Sequence, residues 1–212
     1  MFKWPSLYNI WLNYLSKFIE RYGVKRIERT RHLFELALDS APEASKRIFF
    51  VMYANYEETH GLINHAIEIL DRMVDEVKYE DKMEAYNLYI SKVADLLGVT
   101  KTRRIFQKAI DTLEDSEIIQ MGLRFAQLER RLGEIDRCRA IYTHISQFSE
   151  PRSDQHLLWK IWDEFEIQHG NEDTYKEYKR IFRSVEQKFA LQPLSIEKLK
   201  KEFEDNLAAE KS

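Results

Sequence analysis

The chain has 212 residues, 44% hydrophobic and 33% charged, with a formal net charge of −3 at pH 7. This composition excludes wholesale disorder, and the near balance of charge argues neither for nor against a charged partner. A single cysteine excludes an internal disulfide framework, no apolar run reaches the roughly 18 residues a membrane span needs, and the opening MFKWPSLYNIW, interrupted by Pro5 and Asn9, is no signal peptide.

In chain order, helix-length segments alternate with short breaks, and the breaks usually carry glycine: Gly23, Gly61, Gly98, Gly133 and Gly170. Each glycine is expected just past the end of a first helix, A, in the left-handed conformation that satisfies the last carbonyls without a Cβ penalty. A second helix, B, then begins four to seven residues on. The pairs begin near residues 8, 46, 82, 117 and 155, giving an array over 1–190 and a separate tail over 191–212.

The first helix A opens with Trp11 and Tyr14 and slips by one residue at Phe18. The second reads Phe50, Tyr53, Tyr56, Glu57 and Gly61 at steps of 3, 3, 1 and 4. The third is the most degenerate, with Asn87, Ile90, Val93 and Ala94 ahead of Gly98. The fourth keeps Phe125, Leu128, Glu129 and Gly133, with Gly122 in the leading aromatic place. The fifth repeats the second in full as Trp159, Trp162, Phe165, Glu166 and Gly170. Steps of 3 and 4 put these side chains on one helix face, so the aromatics are expected in the core.

Helix B carries the period. Thr30, Ala66, Thr102, Cys138 and Thr174 lie 36 residues apart, each a small residue entering a helix-like run. Three residues on stand Leu33, Ile69, Ile105 and Ile141, with Glu177 the exception; four on stand Phe34, Leu70, Phe106, Tyr142 and Tyr178. A period of this length marks a stacked-repeat protein, in which each unit buries its apolar face against its neighbours. The small residue lets helix B approach helix A closely, which assigns Cys138 to packing rather than to thiol chemistry. The polar stretches Asp111–Ser116 and Ser149–Arg152 read as turns.

After Pro193, Ile196, Leu199, Phe203 and Leu207 form one apolar stripe among Lys and Glu. This tail suits a cap on the last repeat, a truncated sixth unit, or a helix offered to a partner.

Candidate chemistry is sparse. His32, His60, His65, His144, His156 and His169 include no i, i+4 pair of the helical zinc type, and no second cysteine joins them, so no metal site is expected. No glycine-rich phosphate loop and no serine nucleophile motif is present, so no cofactor and no catalytic residue is assigned. Glu57, Glu129 and Glu166 recur at one repeat position, and Arg31, Arg103 and Arg139 recur at the second position of helix B. They read as ion pairs between helices or as recognition residues. Basic clusters recur at Lys25–Arg31, around Arg103, Arg104 and Lys108, and around Arg130, Arg131 and Arg139, interrupted by Glu68, Asp71, Asp75 and Glu76 of the second unit. Arg103, Arg104, Lys108, Arg130 and Arg131 are therefore candidate contacts to a partner or to RNA, against the plainer reading of a solvated face of mixed charge.

The combination of W-x2-[YW]-x2-[FY]-E on helix A with a small residue, Arg, Ile and an aromatic on helix B resembles the HAT (half-a-tetratricopeptide) repeat. The stretches FKWPSLYNIWLNYLSKFIERYG, GVTKTRRIFQKAI, LGEIDRCRAIY, FEIQHGNEDTYKE and RIFRSVEQ are similar to the C-terminal repeats of the Syf-type splicing factors, a family whose animal members are also called XPA-binding protein two. The resemblance covers about residues 2–190 and implies a piece of a longer chain. It implies an all-α, right-handed superhelix of about five HAT hairpins and a non-catalytic scaffold in the spliceosome. It further implies a nuclear location, membership of the Prp-nineteen-associated assembly, contacts with crooked-neck-type, Isy-type and aquarius-type proteins, and a link to transcription-coupled DNA repair. Two other readings stand beside it. An RNA-reading helical repeat predicts recurring polar residues along a groove. A prenyltransferase-like α-hairpin subunit predicts Asn-Tyr-x-x-Trp motifs, distantly echoed by Tyr8-Asn9-Ile10-Trp11.

Overall fold

The structure, a computed structural model, describes residues 8–151 and 157–191. The described residues contain ten α-helices and no strand: α1 Tyr8–Tyr22, α2 Ile27–Ser40, α3 Glu43–His60, α4 Ile63–Glu76, α5 Lys82–Leu97, α6 Arg103–Thr112, α7 Asp115–Arg131, α8 Ile135–Ile145, α9 Leu157–His169 and α10 Glu172–Leu191. Taken in pairs they are five helical hairpins, odd-numbered helices serving as A and even-numbered as B. The chain divides into two compact units, Met1–Leu113 with α1 to α6 and Glu114–Ser212 with α7 to α10. The tail with Ile196, Leu199, Phe203 and Leu207 lies outside the described residues, as does His156.

The 36-residue recurrence falls on the buried side of helix B. Thr30, Ala66, Thr102 and Cys138 are each at most 1% exposed. The aromatic or leucine four positions on is buried in all five hairpins, as Phe34, Leu70, Phe106, Tyr142 and Tyr178. Thr30 and Thr102 satisfy their hydroxyls within the helix start, donating to the carbonyls of Arg26 (3.1 Å) and Val99 (2.6 Å). Thr174 differs. It is half-exposed, and it closes a reciprocal cap with Asn171: the Thr174 amide donates to Asn171 Oδ1 at 2.9 Å, while the Asn171 amide donates to Thr174 Oγ1 at 2.8 Å. Two orphan donors at the start of α10 are thereby satisfied.

Three expectations for helix A require correction. Tyr14 is 39% exposed, because α1 turns Trp11 and Leu15, one helical turn apart, into the core and leaves Tyr14 on the flank. In the third hairpin the core face is Ala85, Tyr86, Tyr89 and Val93, while Asn87 and Ile90 are half-buried. There, Tyr86 anchors the phase by sharing a 2.8 Å hydrogen bond with Thr112 Oγ1.

The third correction concerns the glycines. Gly23, Gly98 and Gly133 do take positive φ, at 43°, 92° and 80°. Gly61 does not, with φ at −119°, and Gly170 is not among the glycines of positive φ. Their role is steric. A Cβ on Gly61 would collide with Oε2 of Glu57, and one on Gly170 would stand 2.5 Å from Oε2 of Glu166. The spacing Glu-x3-Gly therefore makes room for a buried carboxylate in these two hairpins.

Candidate functional site

The repeat-equivalent polar residues converge at the joints between hairpins. Glu57 on α3 is fully buried, and Arg31 on α2 reaches it with two parallel hydrogen bonds, Nε to Oε1 at 2.7 Å and Nη2 to Oε2 at 2.8 Å. Arg139 on α8 does the same to Glu166 on α9, at 2.8 and 3.2 Å, and Trp162 Nε1 adds a third donor at 3.2 Å. Burial alone would raise the Glu57 carboxyl, but the hydrogen bonds and charge of Arg31 outweigh it and hold the group below its ordinary value. Bidentate pairing of this kind fixes orientation as well as supplying energy.

An aromatic contact accompanies each pair. Phe34 of α2 stacks on Tyr53 of α3 with ring centroids 4.7 Å apart, and Tyr142 of α8 stacks on Trp162 of α9 at 5.9 Å. Each of these two joints is thus a guanidinium and a ring from the outgoing helix B, meeting a carboxylate and a ring from the incoming helix A. Phe50, Phe165 and Trp159 complete the cores of their own helices, each at most 3% exposed, and Phe125 is 8% exposed. Gly122 has no room for a ring: the side chain of Ile145 from α8 occupies that space. Glu129 is fully buried and Arg103 half-buried, at the same repeat positions as the paired residues.

The joint from α4 to α5 departs from this pattern. Ile67 stands where Arg31 and Arg139 stand, and Ala94 where Glu57 and Glu166 stand. The ring of helix B is replaced as well, by Leu70.

The basic candidates are dispersed in their engagements. Lys108 on α6 is held by Asp71 at 3.0 Å and Asp75 at 2.9 Å, both on α4, so the acidic second hairpin neutralises it. Arg130 donates to Gln168 Oε1 at 2.5 Å; Arg104 and Arg131 are exposed. Further ion pairs tie like helices together, Arg72 to Glu35 at 3.0 Å and Lys92 to Glu58 at 2.6 Å. Cys138 is buried, donates to the carbonyl of Ala126 at 3.3 Å, and burial pushes its thiol up to about 11. Among the described residues no group of three or more His, Cys, Asp or Glu is placed to hold a metal, and no helix is long and apolar enough to cross a membrane.

These joints define a class: a stacked array of α-hairpins whose recurring polar residues join one repeat to the next. The family model of the pre-mRNA-splicing factor Syf1/CRNKL1 C-terminal HAT repeat matches residues 1–212, and the chain belongs to that family. It is 47% identical over 186 residues to the pre-mRNA-splicing factor syf1 homolog of Drosophila melanogaster, covering 88% of this chain and 21% of the relative. Against pre-mRNA-splicing factor SYF1 of Dictyostelium discoideum the identity is 45% over 201 residues, covering 95% and 24%. Against SYF1 of Homo sapiens it is 47% over 186 residues, covering 88% and 22%. The chain therefore spans under a quarter of the length of these curated relatives.

Proposed function

We propose that the chain is a non-catalytic protein–protein interaction scaffold in pre-mRNA splicing, acting in the nucleus. The observation that carries this reading is where the recurring polar residues go. Arg31, Glu57, Arg139 and Glu166 are engaged with one another between hairpins, which builds a rigid support and supplies no reactive group. Lys108, the best-placed basic candidate, is neutralised by Asp71 and Asp75. That interrupts a continuous phosphate-binding surface, which would need uncompensated cations along its whole length, and so favours protein partners. The relatives are named as pre-mRNA-splicing factors, which supplies the process. Partners of the crooked-neck, Isy and aquarius types, membership of the Prp-nineteen-associated assembly and a link to transcription-coupled repair belong to this proposal through the family resemblance. RNA contact is secondary within it.

The test is co-purification of the full chain from nuclear extract with and without nuclease. Splicing proteins retained after nuclease support the scaffold. Loss of every protein partner after nuclease replaces it with an RNA-binding role.

A further inference from the structure

The joint from α4 to α5 is where both halves of the Arg–Glu pair are missing, and it is also where the surface opens. A groove of about 420 Å³ runs between α4 and α6 over α5, with an apolar floor of Ile67, Tyr89, Val93, Leu97 and Ile105. Two positions that depart from the other hairpins line it. Ile67 replaces the arginine that spans the α2–α3 and α8–α9 joints, and Val93 aligns by sequence with Tyr56 and Phe165. Leu97, at the groove's edge, is 43% exposed.

The charged residues around this floor are not equivalent. Glu68 is within 3.2 Å of the His65 ring, and Asp71 with Asp75 holds Lys108. Arg104, at the start of α6, and Lys101, two residues ahead of α6, are exposed and form no ion pair with another described residue. With an aliphatic floor, two cations free of ion pairs on the α6 side and the exposed Glu68 on the α4 side, the groove is complementary to an aliphatic side chain whose carboxylates lie toward α6. It offers no exposed aromatic face of the kind that stacks single-stranded bases, since Tyr89 is buried in the floor.

We propose that this groove docks a short acidic segment of a partner protein, anchored by an aliphatic side chain on Ile67, Val93 and Leu97 and held by its carboxylates on Lys101 and Arg104. The proposal rests on the protein-scaffold reading and locates one of its binding sites. The missing joint pair is what makes the site.

The experiment selects binders to the full chain from a displayed library of random peptides of about twelve residues, then measures each clone on variants. Ile67→Arg with Ala94→Glu installs the pair found at the α2–α3 and α8–α9 joints, and Gly98 lies four residues after Ala94 as Gly61 does after Glu57. Lys101→Glu with Arg104→Glu changes only exposed groups and keeps the test valid if the first variant is unstable. The expected result is a consensus of Leu or Ile beside Asp or Glu, weakened at least about tenfold by either variant, with melting of the charge variant unchanged. Selection of basic sequences, of clones that bind both variants as well as wild type, or of no clone at all overturns the proposal. So does binding of single-stranded oligouridine that is abolished by Lys101→Glu with Arg104→Glu and not displaced by any selected peptide, which would make this an RNA surface. Those outcomes remove the groove alone; the scaffold reading fails separately, on loss of partners after nuclease.

Discussion

Arg31 and Glu57 are 26 residues apart in sequence, on helices of different hairpins, yet every oxygen of the buried Glu57 carboxylate is met by the Arg31 guanidinium. Removing one partner of such a pair leaves the other buried and uncompensated. Arg31→Ala and Arg139→Ala are each expected to destabilise their unit by about 3 kcal/mol. Arg180→Ala, at an exposed pair with Glu177, is expected to cost under about 0.5 kcal/mol. Urea denaturation of the three variants against wild type checks this order.

The same pair sets a pH dependence. Glu57 is held below its ordinary value in the folded chain, so its contribution is fully present above the unfolded glutamate value of about 4.3 and is lost as pH falls through the folded one. Glu57→Gln should therefore flatten the acid limb of the urea midpoint between about pH 5 and about pH 3, relative to wild type. An unchanged limb would show that the carboxylate does not drive it.

Gly61 and Gly170 are expected to resist alanine for a different reason from Gly98 and Gly133. Gly61→Ala should cost about 1–3 kcal/mol through its clash with the Glu57 side chain, and that cost should shrink in an Arg31→Ala/Glu57→Ala background. Gly98→Ala, where φ is 92° and nothing stands near the new Cβ, should cost about 1–2 kcal/mol whatever its background. A double-mutant cycle by chemical denaturation separates steric coupling from backbone strain.

Cys138 should be inert in the folded chain. Burial pushes its thiol up to about 11, so iodoacetamide at about pH 8 should label it only as fast as the unit opens, and labelling should accelerate sharply in urea. Rapid labelling of native protein, read by mass spectrometry, would contradict the packing role. Because its folded value is raised, this thiol's contribution to stability is intact below the unfolded value of about 8.5 and declines as pH rises from there towards about 11.

Much of the architecture was legible because packing repeats. Thr30, Ala66, Thr102 and Cys138 announce one helix position, and the recurring Glu and Arg announce a pairing that the structure forms between Arg31 and Glu57 and between Arg139 and Glu166. What escaped was phase and sterics. Spacing alone cannot tell Asn87 from Tyr86 as the third hairpin's core residue, since the choice depends on the hydroxyl partner that Thr112 supplies from another helix. Nor does a glycine reveal whether it is there for its backbone, as at Gly133, or for the atom beside it, as at Gly170. The Asn171–Thr174 cap was readable locally, yet the period drew Thr174 into the packing class. The groove lined by Ile67 and Val93 was visible only as degeneracy in the third repeat.

The joints also make the order of hairpins matter. A hairpin ending in an arginine like Arg31 or Arg139 must be followed by one bringing a glutamate, whereas α4, which offers Ile67, must be followed by one bringing a small residue such as Ala94. Swapping the third hairpin for the second or the fifth would strand a carboxylate against isoleucine. Skipping the second hairpin during folding would strand the Arg31 guanidinium against Ala94. Either error costs several kcal/mol, about the margin by which a small unit is stable at all. Helices of similar pattern stacked in series can otherwise slip by one unit, and the contrast between the ionic α2–α3 joint and the apolar α4–α5 joint distinguishes the second hairpin from the third.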